Sequence, residues 1–394
     1  MKSKGQIYLF LLLLFFVLPM DAKSGKSKVC LNMIVKDEKD VIERCLTSVK
    51  EIIDYWVIVD TGSHDGTQEV IRKFMKDIPG ELHEQPWVNF GHNRNEALKL
   101  AKGKGDYVLL IDADEEMYGK FNKYELTADV YLVDIHATEE ANIISKRALL
   151  IKDKISWVWK GVLHEKLESP GDPQFDCLPD VIISAKTRDG NRAKDPQKYF
   201  KDAWVLEQGL IDEPDNIDYI YYLGQSYLNA GDLEKAMESY DRRGKIHKGW
   251  DQQTFWAKYS AACLQESLER PPEMFIKGYK EAFQFRPTRA EPLYRIAQHY
   301  YDHEDYLTAY SFAYLGLQVK RSDDFVYVEG WIYDYGLLAV LGNSSMKLGW
   351  YVEAIEIYRK LEGKEGVPEE ARKQARETRL FLESELKRIQ AAAS

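Results

Sequence analysis

Two aspartates stand directly after an apolar run in the first half of the sequence. Residues 107–111 are almost wholly apolar, and Asp112 and Asp114 follow, separated by one alanine. Two carboxylates at positions i and i+2, just past a strand end, can converge on one hard cation that binds both phosphates of a nucleotide. The alternative is a solvated acidic turn. The place of the pair after a buried strand favours a metal site made by Asp112 and Asp114.

Asp60 and Arg94 offer groups that can hold a nucleotide. Asp60 ends a second apolar run and precedes a predicted helix, so its carboxylate can accept hydrogen bonds from a ribose or a base. Arg94 lies in the first turn of a helix predicted over residues 91–101, where unpaired N–H groups favour an anion. Its guanidinium can donate two hydrogen bonds to a phosphate. The alternative for Arg94 is an ordinary surface charge.

A histidine and a glutamate follow two tryptophans further along the chain. The segment 157–165 reads WVWKGVLHE and ends in His164 and Glu165. His164 can complete the shell of a metal ion, and Glu165 can act as the general base that deprotonates an acceptor. An isolated His-Glu pair can equally be structural.

The elements that must position these residues follow from the apolar pattern. Up to residue 114, short apolar runs alternate with stretches of helical periodicity. This alternation predicts an α/β domain in which helices cover a parallel sheet, as in nucleotide-binding domains. Ligands of such sheets lie beyond the carboxyl ends of the strands. Apolar runs at 130–135, 148–151 and 181–184 lack long helices between them and predict antiparallel or mixed strands that extend the sheet.

The second half of the chain is helical and repetitive. Small residues and aromatics recur at the spacing of tetratricopeptide units that begin near Ile217, Trp256, Ala290 and Tyr335. Small residues allow the two helices of each unit to cross closely. We therefore predict an irregular helical repeat domain over residues 217–394, joined to the first domain by a connecting helical segment at 188–216. An ordinary helical bundle is the alternative.

Composition and the N-terminus narrow the possible partners. The formal net charge of -10 argues against a nucleic-acid partner, because phosphate neutralisation needs a basic face. Residues 1–22 contain two lysines and an apolar run at 7–18, which predicts a signal peptide or, alternatively, a retained membrane anchor. We therefore expect an exported or secretory-pathway protein, lumenal or periplasmic. The four cysteines form no CxxC pair and are expected to be buried free thiols.

These motifs together resemble a known family. The order of an apolar strand, the acidic segment 36–38, VDTGSHDGT, FGHNRNEAL, LIDADE and WKGVLHE is similar to family 2 glycosyltransferases that carry C-terminal tetratricopeptide repeats. The resemblance implies a GT-A domain over residues 28–187, a nucleotide-diphosphate sugar donor, a Mn²⁺ or Mg²⁺ ion and inversion at the anomeric carbon. It implies that Asp60, Arg94 and Asp112 bind the nucleotide-sugar. Asp112 and Asp114, with His164, would hold the metal, and Glu165 is the candidate base.

Three functions remain open on sequence alone. The first is a glycosyltransferase that acts on a protein, peptide or glycan acceptor, with the repeats binding the acceptor or mediating self-association. The second is a catalytically inactive scaffold whose repeats bind a protein partner. The third, a hydrolase with paired carboxylates, is disfavoured because Asp112 and Asp114 are too close together to flank a glycosidic bond.

Overall fold

The computed structural model describes residues 25–136, 144–186, 189–324 and 327–393. The first part of the chain forms a mixed eight-stranded sheet, a separate two-stranded hairpin and three packed helices. The strands are β1 (Val29–Val35), β2 (Tyr55–Asp60), β3 (Gly80–Glu84), β4 (Tyr107–Leu110), β5 (Glu115–Gly119), β6 (Val130–His136), β7 (Ile144–Lys152), β8 (Val158–Lys160), β9 (Lys166–Glu168) and β10 (Phe175–Ala185). The helices are α1 (Ile42–Val49), α2 (Thr67–Phe74) and α3 (Phe90–Ala101). The predicted leader, residues 1–22, lies outside the described residues.

The sheet has a parallel half and a mixed half. Its strand order is β3-β2-β1-β4-β7-β6-β10-β5. The first four strands are parallel, whereas β7 runs antiparallel to both β4 and β6, and β10 pairs in parallel with β6 and antiparallel with β5. The predicted α/β fold with a mixed extension is therefore confirmed. The carboxyl ends of β1, β2 and β4 lie at one edge, which is where ligands bind in sheets of this kind.

Helix α1 shows why the parallel half is stable. Its buried residues Ile42, Cys45, Leu46 and Val49 recur at helical spacing and form one apolar stripe. That stripe belongs to the same core cluster as the buried side chains of β1. The loop between β1 and α1 is thereby fixed at the sheet edge.

The second part of the chain is an array of antiparallel helix pairs. The helices are α4 (Lys198–Asp212), α5 (Ile217–Ala230), α6 (Leu233–Gly244), α7 (Asp251–Ser267), α8 (Pro272–Phe285), α9 (Glu291–Asp302), α10 (Tyr306–Leu317), α11 (Leu337–Lys347), α12 (Tyr351–Gly363) and α13 (Glu369–Ala393). A 3-10 turn at Asn191–Lys194 precedes α4, and a π-helical turn at Ile332–Gly336 precedes α11. The predicted helical repeat architecture is confirmed. The four units are α5 with α6, α7 with α8, α9 with α10, and α11 with α12.

Small residues mark the helix crossings, as the repeat pattern predicts. A Cβ atom at Gly224 would lie 3.0 Å from the ring of Tyr240, and one at Gly342 would lie 3.1 Å from Ile357. Helix α4, in the predicted connecting segment, packs against α5. It thus adds one helix to the front of the array.

A long connection crosses several units between α10 and the π-helical turn. Its described residues are 318–324 and 327–330. Asp324 accepts hydrogen bonds from Arg286 at 2.6 Å and from Arg289 at 3.1 Å. Tyr327 packs on the Trp256 ring of α7 at 5.1 Å, and Glu329 pairs with Arg295 of α9 at 2.9 Å. The long connection therefore touches the first helices of the second and third units, and Tyr327 also reaches Gln225 of α5.

Two further observations concern membrane-spanning helices and the thiols. None of the helices in the described ranges is long and apolar enough to cross a membrane. Cys30 and Cys45 are buried free thiols, as expected, and Cys263 is half-buried. The expectation is wrong for Cys177, which is exposed because it lies in the first, solvent-facing part of β10.

Candidate functional site

A cleft of about 380 Å³ lies beyond the end of β4, at the sheet edge. It brings together Arg94, Asp112, His164 and Glu165, four of the residues that the sequence singled out. Three guanidinium groups line it, because Arg147 and Arg192 join Arg94. Asp60 and Asp114 are not among the residues that line this cleft.

Arg94 is the centre of the site. Its Nε donates to Glu165 Oε1 at 2.5 Å, and its Nη2 donates to Asp112 Oδ1 at 2.8 Å. The guanidinium also lies 5.2 Å from the centre of the Trp159 ring. The two carboxylates and the Trp159 ring thus fix the Arg94 side chain, which is only 16% exposed. The planar guanidinium matches this geometry because its donors point in fixed directions.

Helix α3 positions Arg94 through polar side chains rather than through a strong apolar stripe. Asn89 caps the helix, with its side chain accepting from the His92 N–H at 2.8 Å. The buried Asn32 side chain of β1 donates to the Ala97 carbonyl at 2.9 Å. Buried Asn93 binds the backbone of Pro86 and Val88. The first turn of α3 is therefore held against the sheet edge.

Asp112 is shared by two arginines. Besides the Arg94 contact, its Oδ2 lies 3.8 Å from Arg147 Nη1. Partial burial opposes ionisation of this carboxyl, but the charges of Arg94 and Arg147 outweigh that effect and hold the pKa of Asp112 below its usual range. The Asp112 N–H donates to the side chain of buried Glu115 at 2.9 Å. Asp112 is therefore an ionised carboxylate with a fixed backbone.

His164 and Glu165 lie on the loop that joins β8 and β9. Glu165 is nearly covered, with 10% of its side chain exposed. His164 is exposed, and its ring stacks on Tyr222 of α5 with centroids 4.0 Å apart. The two side chains therefore occupy one cleft but have different partners, one in each domain.

Asp60 lies two strands away from Asp112, at the end of β2. Its Oδ1 accepts from the N–H groups of Gly62 and Ser63, each at 2.8 Å. Its Oδ2 is buried and has no hydrogen-bond partner among the described residues. Two strand spacings amount to roughly 10 Å, a separation that one nucleoside diphosphate can span along the sheet edge.

Asp114 lies in an acidic neighbourhood beside the segment that leads to the helical array. A Cβ atom at Gly190 would lie 2.8 Å from Asp114 Oδ2, so the backbone of this segment approaches the carboxylate closely. Burial and the charges of Asp112 and Glu115 raise the pKa of Asp114 to about 6. Burial, with Asp114 nearby, also raises the pKa of Glu38 to about 7. Excess negative charge is therefore concentrated here.

This donor chemistry fits a hard divalent cation. A cation would relieve the repulsion that raises the pKa of Asp114. Within the described ranges, no three His, Cys, Asp or Glu side chains are grouped to hold a metal. Mg²⁺ commonly binds through one or two carboxylates together with substrate phosphates and water. Asp112 and Asp114 would suit that mode.

Sequence reasoning missed Arg147 and Arg192. Arg147 lies on β7, immediately before the apolar run at 148–151, and its only signal was a charge next to a buried strand. Arg192 lies in the segment that was predicted as a connection, where its guanidinium stacks on Phe90 at 4.6 Å. Both residues reach the cleft through tertiary structure, which the spacing along the chain does not reveal.

Comparison with known proteins agrees with this geometry. Residues 30–124 match the model of glycosyl transferase family 2. The chain carries a family 2 glycosyl transferase domain. The matched range contains β1 to β5 and α1 to α3, and therefore Asp60, Arg94, Asp112 and Asp114. His164 and Glu165 lie beyond it.

Relatives match different shares of the chain. The SPbeta prophage-derived glycosyltransferase SunS of Bacillus subtilis (strain 168) is 31% identical over 229 residues, which is 55% of this chain and 53% of that protein. A TPR repeat-containing protein of Synechococcus elongatus is 38% identical over 95 residues, 24% of this chain and 22% of its own. The chain thus spans from about a fifth to about half of these relatives. The solved structure of MamA covers 44% of the chain at 16% identity, with a TM-score of 0.35.

Proposed function

We propose that this chain is a metal-dependent glycosyltransferase that moves a sugar from a nucleotide-diphosphate sugar, with UDP-sugars as the first candidates, to a protein, peptide or glycan acceptor. The observation that carries the proposal is the cluster of Arg94, Asp112 and Glu165 beyond the carboxyl ends of the parallel strands, with Arg94 and Asp112 inside the range that matches family 2. The proposal includes inversion at the anomeric carbon and an exported or secretory-pathway location.

The charges of the cleft suit a diphosphate. Arg94, Arg147 and Arg192 can donate hydrogen bonds to phosphate oxygens. Guanidinium groups often bind a phosphate through two parallel hydrogen bonds. The unpartnered Oδ2 of Asp60 would accept from the ribose or base. Asp112 and Asp114, with His164 as a third candidate, would hold Mn²⁺ or Mg²⁺. When bound, that ion would neutralise charge on the departing diphosphate.

The protein's own groups define the remaining chemistry. The acceptor hydroxyl oxygen would attack the anomeric carbon from the face opposite the diphosphate, and the bond from that carbon to the diphosphate oxygen would break. The acceptor proton would pass to Glu165. Because Arg94 holds Oε1 of this carboxylate, Oε2 is the oxygen that would receive the proton.

The test is release of nucleoside diphosphate by protein that lacks residues 1–22. A panel of UDP- and GDP-sugars is offered with Mn²⁺, with Mg²⁺ and with chelator. Metal-dependent release from one donor, lost in Asp112→Asn and kept in the exposed control Asp212→Asn, would support the proposal. No release and no donor-dependent shift of the melting temperature across the panel would refute it and favour the scaffold.

A further inference from the structure

The loop of residues 161–165, between β8 and β9, is a strained turn at the cleft. His164 has a φ of 53°, in the left-handed region that non-glycine residues rarely adopt, and Gly161 has a φ of 115°. A non-glycine residue held in that region is strained and persists only where the surroundings fix it. The loop therefore needs external contacts to keep His164 and Glu165 in place.

Contacts from the transferase domain fix the two ends of this loop. Asn95 on α3 binds the backbone of Trp159 twice, accepting from its N–H and donating to its carbonyl, each at 2.8 Å. Gly91 approaches so closely that a Cβ atom there would lie 2.3 Å from the Gly161 carbonyl oxygen. Glu165, at the far end, pairs with Arg94. The middle of the loop, residues 162–164, is not covered by these contacts.

The helical array fixes the middle of the loop. The Val162 N–H donates to the Tyr219 hydroxyl at 3.2 Å. The Tyr222 ring stacks on His164, with an interplanar angle of 22°. Leu163 is 4% exposed and belongs to the core cluster that contains buried residues of α4 to α7. Just after the loop, Lys166 pairs with Asp218 at 2.6 Å. The hydrogen-bonding, stacking and ion-pairing partners, Tyr219, Tyr222 and Asp218, all belong to α5.

We infer that α5, the first helix of the repeat array, completes the catalytic centre, with Tyr219 and Tyr222 as positioning residues for the loop of residues 161–165. The catalytic part of this inference rests on the proposed function. Tyr219 satisfies the backbone of the loop, and Tyr222 covers one face of the strained histidine. Without them the turn would relax toward an ordinary backbone conformation, and Glu165 would move relative to Arg94.

The test compares three variants of the full chain. Tyr222→Leu removes the stacked ring, Tyr222→Phe keeps it, and Tyr301→Leu is a matched loss of a half-buried tyrosine in the third unit. Misplacement of a reacting group by about 1 Å can cost about a hundredfold in rate. We expect kcat to fall by roughly ten- to a hundredfold in Tyr222→Leu, with the donor KM little changed. Tyr222→Phe and Tyr301→Leu should retain the wild-type kcat.

Amide hydrogen exchange reports loop positioning without requiring turnover. Exchange at residues 158–168 should be faster in Tyr222→Leu than in the wild type, and unchanged in Tyr301→Leu. If the wild type transfers no sugar but this local change occurs, the proposed function fails and the positioning role stands. Unchanged exchange together with unchanged kcat would overturn the inference. If Tyr222→Leu does not fold, Tyr219→Phe, which removes the hydroxyl that accepts from Val162, decides in the same two measurements.

Discussion

The pairing of Arg94 with Glu165 makes a quantitative prediction about folding stability. The two side chains are 16% and 10% exposed, and Nε and Oε1 are 2.5 Å apart. With charge centres roughly 4 Å apart and an effective dielectric constant of about 20, the attraction is about 4 kcal/mol. Lost hydration offsets part of it. We therefore expect a coupling free energy of about 2–3 kcal/mol between the two residues.

A double-mutant cycle measures this coupling. Arg94→Met keeps the aliphatic stem and leaves Glu165 as an unpaired, nearly covered carboxylate, so it should destabilise the fold by about 3–4 kcal/mol. Glu165→Gln removes the negative charge of the pair. The loss of unfolding free energy in the double variant should be smaller than the sum of the losses in the two single variants. The assay is urea unfolding at pH 7.5 in the presence of chelator. A coupling below about 0.5 kcal/mol would refute the reasoning, because it is the value of a solvent-exposed pair.

The pH dependence of the same cycle has a defined sign. Arg94 and Arg147 hold the pKa of Asp112 below its ordinary value of 3.8. This contribution to stability is therefore present above pH 3.8 and is lost as the pH falls through the lower value in the folded state. The destabilisation by Arg94→Met should therefore be smaller at pH 3 than at pH 8. An equal destabilisation at the two pH values would contradict the assignment of Asp112 as an ionised partner.

Three further predictions concern the acidic neighbourhood and the thiols. Asp114→Asn should abolish turnover and leave the melting temperature nearly unchanged; retained turnover would remove Asp114 from the metal site. The pKa of Glu38 is raised from 4.5 to about 7, so its contribution to stability is present below pH 4.5 and is lost as the pH rises through 7. In urea unfolding, Glu38→Gln should therefore be as stable as the wild type at pH 4 and more stable by about 1–2 kcal/mol at pH 8. Equal stability of the two proteins at both pH values would count against the burial that raises the pKa of Glu38. Ellman's reagent should find one fast-reacting thiol in the native protein, and Cys177→Ser should remove it. The other thiols should react slowly, because burial raises the pKa of Cys30 to about 12 and of Cys263 to about 11. Two fast-reacting thiols would contradict the burial pattern.

The sequence predicts strands that are buried on both faces and misses polar ones. β1, β2 and β4 were visible as continuous apolar runs. β3, with the sequence GELHE, lies at the sheet edge and carries no such run. β5, with the sequence EEMYG, lies at the other edge and begins inside the acidic motif, where the pattern indicated only a turn. Both strands form because a neighbour supplies backbone partners, and periodicity does not record that cause.

The site was predictable where a motif lies next to a strand or helix end. Arg94, Asp112, His164 and Glu165 were each identified in this way, and one cleft contains all four. Their pairing was not predictable, because the ion pair of Glu165 with Arg94 joins residues 71 positions apart. Arg147 and Arg192 were missed for the same reason. The exposure of Cys177 also depends on tertiary structure, since the first part of β10 pairs only with β6, whereas residues 181–185 also pair with β5.

The long connection between α10 and the π-helical turn changes how the helical array should unfold. In most repeat arrays each unit contacts only its neighbours, so terminal units can fray one at a time. Here Asp324 of the long connection forms an ionic cluster with Arg289 and Glu291; the last two side chains are fully buried, and Asp324 is 6% exposed. The long connection also contacts α5, α7 and α9. Opening any of the first three units would expose that ionic cluster or break its cross-links. Those units should therefore lose structure together, in one cooperative step, while fraying is confined to α11, α12 and α13.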